Sequence, residues 1–515
     1  MKHKYIIKSM TAGAAALLLC VLAVMPAFAA IDPPMPSDGS VPGAVFVADG
    51  ESELSLEQTA LVFEIPELLK DQYVSKQEFL AYDARMTATY TLYNPTDQTV
   101  TERLLTPIGI YPDTAYALPE GLDASKYTVS VDGEQITPDL RHAYVIDRSY
   151  FVENSGNATE HMPTFGLAYL SDSFAQHPVL TPYTEVYVYE YRSVLQDEDG
   201  KRGAYQIEGS LQADPQQCAV FSMGIGYPTC EEDHVLTYEL FAYLDETFSI
   251  CSVGQDVGEV AWRTHDRDGN DVNAEVTLES KQVMTFHDFA MQGYDEQSGV
   301  SELDYYNAFV AYAEDQRAEN TAAICPGGGQ VALSSEQLQP WQIFEVTLLP
   351  GQRTDVTVTA PLYPSIDYRY DPYVYTYAYA MTLDRSWSAC GQTRVQINTE
   401  YYLCDEGRHT FDSDAYTITA GGYAWEGQTV STYLVFSLSE EKNPTNSTFW
   451  FAVLALVFIL LVLFVVYVLP VLVIAAVIAL ITVLIIRRVR KKRKLKEQNA
   501  KSTTLPEKED EPNEE

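Results

Sequence analysis

Residues 449–486 read FWFAVLALVFILLVLFVVYVLPVLVIAAVIALITVLII, 38 positions without a charge, and eight of the next ten, RRVRKKRKLK, are basic. About 20 apolar residues in a helix already cross the ~30 Å hydrocarbon core of a bilayer. The run therefore predicts a membrane-spanning segment and leaves apolar length over. As one helix it would extend ~57 Å at 1.5 Å per residue, and even a 40° tilt accommodates only ~26 residues. The surplus must overhang the bilayer, kink, or lie against another membrane protein. Pro470 lacks the amide proton of a helical hydrogen bond and crowds the preceding turn, which predicts a kink. Two 18-residue helices turning back at Pro470 form the alternative. Against it, lysine- and arginine-rich flanks stay on the cytoplasmic side. One crossing is expected, with residues 487–515 as a cytoplasmic tail that is disordered beyond its basic cluster.

The other end of the chain predicts export. Lys2, Lys4 and Lys8 precede an apolar stretch from Ala12 to Met25 and the A-x-A site at Ala27–Ala29, the pattern of a secretory signal peptide over residues 1–29. The expected location is thus the cell membrane, single-pass, with an N-terminal ectodomain outside. Setting aside the leader's three lysines and the tail's ten basic and seven acidic residues leaves 20 basic and 65 acidic residues, a net charge of −45. Such a surface repels nucleic acid and anionic lipid, so neither is an expected partner. The excess serves solubility or presents an acidic surface to cations and basic proteins.

Six cysteines remain beyond the leader: Cys218, Cys230, Cys251, Cys325, Cys390 and Cys404. An exported chain permits disulfides, but six cysteines allow fifteen pairings. If GQTRVQINTEYYL is one strand, it holds Cys390 and Cys404 ~40 Å apart and excludes that bridge. The Gly and Pro of AVFSMGIGYPT let the chain turn back between Cys218 and Cys230, the favoured pair. No C-x-x-C or His/Cys cluster has zinc spacing, and no cofactor is expected.

The ectodomain has strand rhythm. ARMTATYTLYNPTDQTVTERLLTPIGI alternates apolar and polar residues on both sides of NPTD, and KYTVSVDGEQIT places Asp132–Gly133 at a tight hairpin turn. Runs such as EVYVYEYRSV, HVLTYELFAYLD and IFEVTLLPGQRTDVTVTAPL continue the pattern. The expected fold class is mainly β, with antiparallel β-sandwich modules, one or two short helices and one long C-terminal transmembrane helix. A capping box at Ser301 predicts a helix over 301–318, and a weaker helical pattern follows Pro66. The modules are placed at 55–215, at 234–290 as an insertion, and at 340–440, whose strands stand alone or complete the first. This arrangement resembles a broad group of uncharacterised Gram-positive, clostridial-type surface proteins, the likeness being carried by TYTLYNPTDQTVTERLLTP and FEVTLLPGQRTDVTV. The resemblance implies location and fold, and no chemistry.

Three constellations invite a functional reading. In DPYVYTYAYAMTL, Tyr373, Tyr375, Tyr377 and Tyr379 alternate, so a strand points all four to one face. Those rings pack against a second sheet, the favoured outcome, or form a stacking platform for sugars. In RTHDRDGND, Asp266, Asp268 and Asn270 occupy calcium-loop positions 1, 3 and 5, but Asp271 replaces the required Gly and Thr277 the final Glu; a hairpin turn accounts better for the segment. The histidines are scattered without HExxH, and no GxSxG nucleophile motif occurs. The chain is therefore expected not to be an enzyme, although its many carboxylates leave room for an unrecognised hydrolytic pair. The function expected is display of acidic β-sandwich modules for binding or assembly, toward an extracellular glycan or protein ligand. The alternatives are an accessory subunit of a membrane complex, with the surplus helix against partner helices, and a surface hydrolase.

Overall fold

The computed structural model describes residues 45–48, 52–69, 81–108, 126–147, 151–154, 157–160, 164–165, 167–195, 205–230, 234–242, 245–317, 321–326, 331–333, 337–380, 387–404, 416–428 and 433–502. The expected leader, most of the helix expected after Pro66 and the end of the expected tail lie outside these. The described chain is mainly strand, with several sheets, few helices and one long apolar C-terminal helix. Its residues form two units: 45–368 with 372–444, and 369–371 with 445–502.

In strand Arg85–Tyr93, RMTATYTLY, Met86, Ala88, Tyr90 and Leu92 are buried while the threonines between them face outward. It lies within an eight-stranded sheet whose order is Thr417–Thr419, Gly422–Gln428, Cys390–Thr399, Ser55–Ile65, Arg85–Tyr93, Arg353–Pro361, Thr128–Val131 and Glu134–Ile136. Neighbours are antiparallel except Ser55–Ile65 and Cys390–Thr399, which run parallel. The inner face of this sheet shares one core with Val374–Ala380 and Tyr433–Ser439 of a four-stranded sheet and with Val100–Pro107 and Leu338–Leu348 of a five-stranded one. Segments about 300 residues apart thus close a single sandwich, because neither has a second sheet of its own to cover its apolar face.

Strands Glu185–Leu195 and Tyr205–Gln212, placed by the sequence reading in the first module, pair elsewhere. The former lies between Glu246–Val253 and Ala274–Thr285, the latter between Val235–Ala242 and Ala261–His265. The two resulting sheets face each other across Tyr189, Tyr191, Val220, Phe248 and Ile250. Residues of the opposite parity, including Val186, Val188, Phe221, Cys251 and Val253, pack under helix Glu302–Gln316. A sheet covered on both faces explains why these strands lack clean apolar–polar alternation. Gly209 is required here: a Cβ would fall 2.4 Å from the Trp262 ring.

Helix Glu302–Gln316 starts where the capping box places it, the Ser301 hydroxyl accepting from the Asp304 amide at 3.0 Å. Residues 304–313 are all buried. Asp304 accepts from Arg141 Nε at 2.7 Å and from the His142 amide at 3.0 Å. Arg141 also donates to Asp172 at 2.9 Å and to the Ser171 carbonyl at 2.8 Å. Asn307 accepts from the Ala175 amide and donates to the carbonyls of Tyr169 and Ser173. These bonds compensate the cost of burying polar groups on a helix enclosed on all sides.

The second unit is dominated by a continuous helix: α-helical over Ser447–Leu463, π-helical over Phe464–Val468 and α-helical over Leu469–Ser502. The Leu469 amide donates to the Phe464 carbonyl, five residues back. The chain thus widens by one π-turn just ahead of Pro470, which removes the clash that the proline ring makes with a regular turn. The hairpin alternative is not formed. The apolar segment belongs to one helix, long and apolar enough to span a bilayer over Leu456–Lys496.

Candidate functional site

The tyrosine strand resolves in favour of packing. Tyr375, Tyr377 and Tyr379 are buried in the large core, and only Tyr373, outside the strand proper, is exposed. Tyr377 stacks on Phe436 with centroids 5.4 Å apart and shares a 2.9 Å hydroxyl contact with Tyr82. Tyr379 makes the equivalent contact with Tyr90 and meets Phe63 edge-on. Burial raises the Tyr377 and Tyr379 pKa values far above the ordinary phenol range. A sugar-stacking platform is therefore corrected to a hydrogen-bonded aromatic core.

The calcium-loop candidate is a turn. Asp266 Oδ1 accepts from the amides of Asp268 and Asn270, both at 2.9 Å, and from the Asn270 side chain. These bonds, led by that from Asn270, lower the Asp266 pKa and close an Asx-type turn. Among the described residues no cluster of His, Cys, Asp or Glu could hold a metal ion. Cys218 and Cys230 are not bridged: Cys218 is buried, its thiol directed at the Asp214 carbonyl, whereas Cys230 is exposed on an edge strand. Burial pushes the Cys218 thiol up to about 11, so it is a poor nucleophile.

A site that the sequence reading missed lies at the end of the eight-stranded sheet. Register aligns Arg85 with Glu64, Glu64 with Asn398, Asn398 with Gly422, and Gly422 with Thr419. This row across five strands borders an open groove of about 840 Å3. The parallel pair of strands places the ends at Ile65 and Thr399 side by side, and their onward chains leave the sheet there. Diverging chains at the carboxyl ends of parallel neighbours open crevices in α/β sheets for the same geometric reason. The expected single strand from Gly391 to Leu403 is broken: Cys390–Thr399 belongs to the eight-stranded sheet, and Tyr402–Leu403 to the facing four-stranded one. The crossover at Glu400–Tyr401 forms a groove wall, held by Tyr423, whose hydroxyl accepts from the Leu403 amide at 3.1 Å and donates to the Tyr401 carbonyl at 3.2 Å.

Glycine shapes the groove. A Cβ at Gly422, whose φ is +146°, would fall 1.9 Å from the Ile397 carbonyl oxygen, whereas one at Gly421 would meet nothing within 4 Å. Glu64, Asp83 and Glu400 line the groove beside a single guanidinium, that of Arg85, which is bonded to Glu64. The Glu64 hydrogen bond, with a smaller contribution from Asp83, raises the Arg85 pKa. Tyr402 and Ile418, also lining, are 51% and 75% exposed. The only sequence signals are the polar NTEYY after an apolar strand and the AGG turn, neither distinctive alone.

No protein-family model and no curated protein matches the chain. Among solved structures it is similar to a candidate nutrient-binding protein of Legionella pneumophila subsp. pneumophila. The two are 10% identical over 78% of this chain and 72% of that one, with a TM-score of 0.28. A likeness at that score carries no inference about fold or ligand.

Proposed function

We propose that the protein is a single-pass, membrane-anchored binding protein of a Gram-positive cell surface, with its β-sandwich unit outside, its basic cluster in the cytoplasm, and the groove at the end of the eight-stranded sheet as its ligand site. The groove is the observation that carries this reading. It combines exposed apolar groups, carboxylates in excess and a glycine-shaped wall, a mixture of apolar surface and a few placed polar groups characteristic of ligand sites. The exposed apolar groups beside the carboxylates favour binding, with hydrolysis by a carboxylate pair as the alternative. A leader-like N-terminus and the position of the basic cluster support the orientation.

Two measurements test it. Single cysteines at Ser439 and Ser502, in a background without native cysteines, are labelled on intact cells with an impermeant thiol reagent; label at Ser439 alone is expected, and label at Ser502 overturns the orientation. Hydrogen exchange of the full chain in nanodiscs is then followed against a panel of wall glycans and peptides. Slowed exchange at 398–402 and 418–423, abolished by Gly421→Trp, is expected, since a side chain there projects into open space. A panel that protects neither segment overturns the groove as the ligand site. The surplus apolar length of the membrane helix supports a second reading, an accessory subunit packed on partner helices.

A further inference from the structure

We propose that the membrane helix pairs in parallel with the same helix of a second copy of this chain, through the face bearing Tyr467 and Pro470, the Tyr467 hydroxyl of each copy donating to the Val465 or Val466 carbonyl of the other. The inference rests on the reading of this helix as a bilayer anchor and is independent of the groove. Its basis is the π-turn. The Leu469 amide, which would serve the Val465 carbonyl in an α-helix, donates to Phe464 instead. Continuing the π-turn would assign Val465 the amide of residue 470, and proline has none. Val466 loses its α-helical donor to the same proline and retains only the Val471 amide, five residues on. The turn that relieves the proline clash thus leaves the Val465 carbonyl without a main-chain donor of its own.

Hydrocarbon offers no water to such a carbonyl, so another protein group has to supply the donor. Between Phe451 and Ile486 only Tyr467 and Thr482 carry hydroxyls. The Thr482 hydroxyl is engaged within its own helix, donating to the Ile478 carbonyl at 2.8 Å. That of Tyr467 makes no hydrogen bond among the described residues. Tyr467 lies three residues before Pro470 and shares its helix face. Helical side chains lean toward the N-terminus, here toward the level of Val465 and Val466. The stiff ring carries its hydroxyl away from its own backbone, and on a parallel neighbour about 8–10 Å away it meets that level of the facing helix. A donor and an acceptor at one level of one face are self-complementary, as a two-fold pair requires. A helix of another protein would need both groups at the same depth; a second copy carries both. Toward the C-terminus, Val471, Ala475, Ile478 and Thr482 continue the face at spacings of three or four, and Ala475 with Ala479 forms a small-x-x-x-small pair that lets backbones approach. Length argues the same way. A 40° tilt accommodates only ~26 of the 38 apolar residues, so about a dozen lie outside the hydrocarbon, where a second helix shields them from water.

The test reconstitutes the full chain into liposomes, with donor or acceptor fluorophores at its C-terminus, and follows energy transfer between copies as lipid is added. Resistance to alkaline carbonate extraction confirms that each variant is inserted. The parent chain is expected to pair. Tyr467→Phe, which removes only the donor, and Pro470→Ala, which restores the missing amide, are each expected to raise the dissociation constant about tenfold, since either change removes two symmetry-related bonds. The double variant should be little weaker than either single one, because both changes remove the same bond. Val473→Ala, on the opposite helix face, should leave pairing unchanged. Copies that stay monomeric, or that pair equally well with Tyr467→Phe or with Pro470→Ala, overturn the proposal. Release of the parent chain by carbonate defeats the anchoring reading itself, whereas retention without pairing defeats this inference alone.

Discussion

Replacing Asp304 with alanine should destabilise the β-sandwich unit by about 3 kcal/mol. Its carboxylate is 1% exposed and receives two donors, Arg141 Nε and the His142 amide. Hydrogen bonds to charged groups contribute ~1.5–3 kcal/mol each, and removing one member of a buried ion pair typically costs ~3–5 kcal/mol because it strands the other charge. Arg141 is not fully stranded here, since it keeps Asp172 and the Ser171 carbonyl. That places the cost at the low end of the range. At ~2–4 °C per kcal/mol, with the smaller figure suited to a unit of this size, the melting temperature should fall by about 6 °C. Calorimetry and urea unfolding of the full chain in nanodiscs measure it. The pairing is tested by a cycle: Arg141→Met with Asp304→Leu should cost well under the sum of the two single changes, because apolar groups of similar volume replace a buried pair at little cost. A single-variant cost under about 1 kcal/mol, or strict additivity in the cycle, would refute the assignment of this pair as the clamp between the helix and its sheet.

Burial lowers the His142 pKa in the folded state, although Asp304 4.0 Å away opposes that shift. Below the unfolded value of ~6.5 the unfolded chain binds the extra proton first, so this residue's contribution is present above that pH and is lost as the pH falls through the folded pKa; His142→Gln should flatten the decline between pH 6.5 and 5, as read from urea midpoints. Tyr377→Ala should cost ~3–5 kcal/mol as a core deletion, whereas Tyr377→Phe removes only the Tyr82 hydroxyl contact and should cost ~1 kcal/mol, both read by thermal unfolding. A glycan-array signal lost equally in both variants with the fold intact would contradict the packed-core assignment. Gly422→Ala should destabilise the unit while Gly421→Ala leaves its melting temperature within about 1 °C, because only the former drives a Cβ into the Ile397 carbonyl.

Strand periodicity, turn chemistry and the apolar run were legible because each is a local property: Met86, Ala88, Tyr90 and Leu92 alternate with threonines whichever sheet they join, and Ser301 caps its helix from three residues away. Which strands pair is not local. Ser55–Ile65 joins Cys390–Thr399 across more than 300 residues, a pairing that covers apolar faces the intervening sheets leave open. Parity arguments limited the tyrosines of 373–379 to one face, but the sheet opposite them decided that this face would be core and not platform. The groove depends on the same long-range choice, since Glu64, Asp83, Glu400 and Ile418 meet only because the parallel pairing brings the ends of distant strands together. The sequence by itself determined a β-rich chain bearing one long apolar segment, through short-range periodicity and hydropathy; tertiary structure alone decided the site, because sheet register converts distant residues into neighbours.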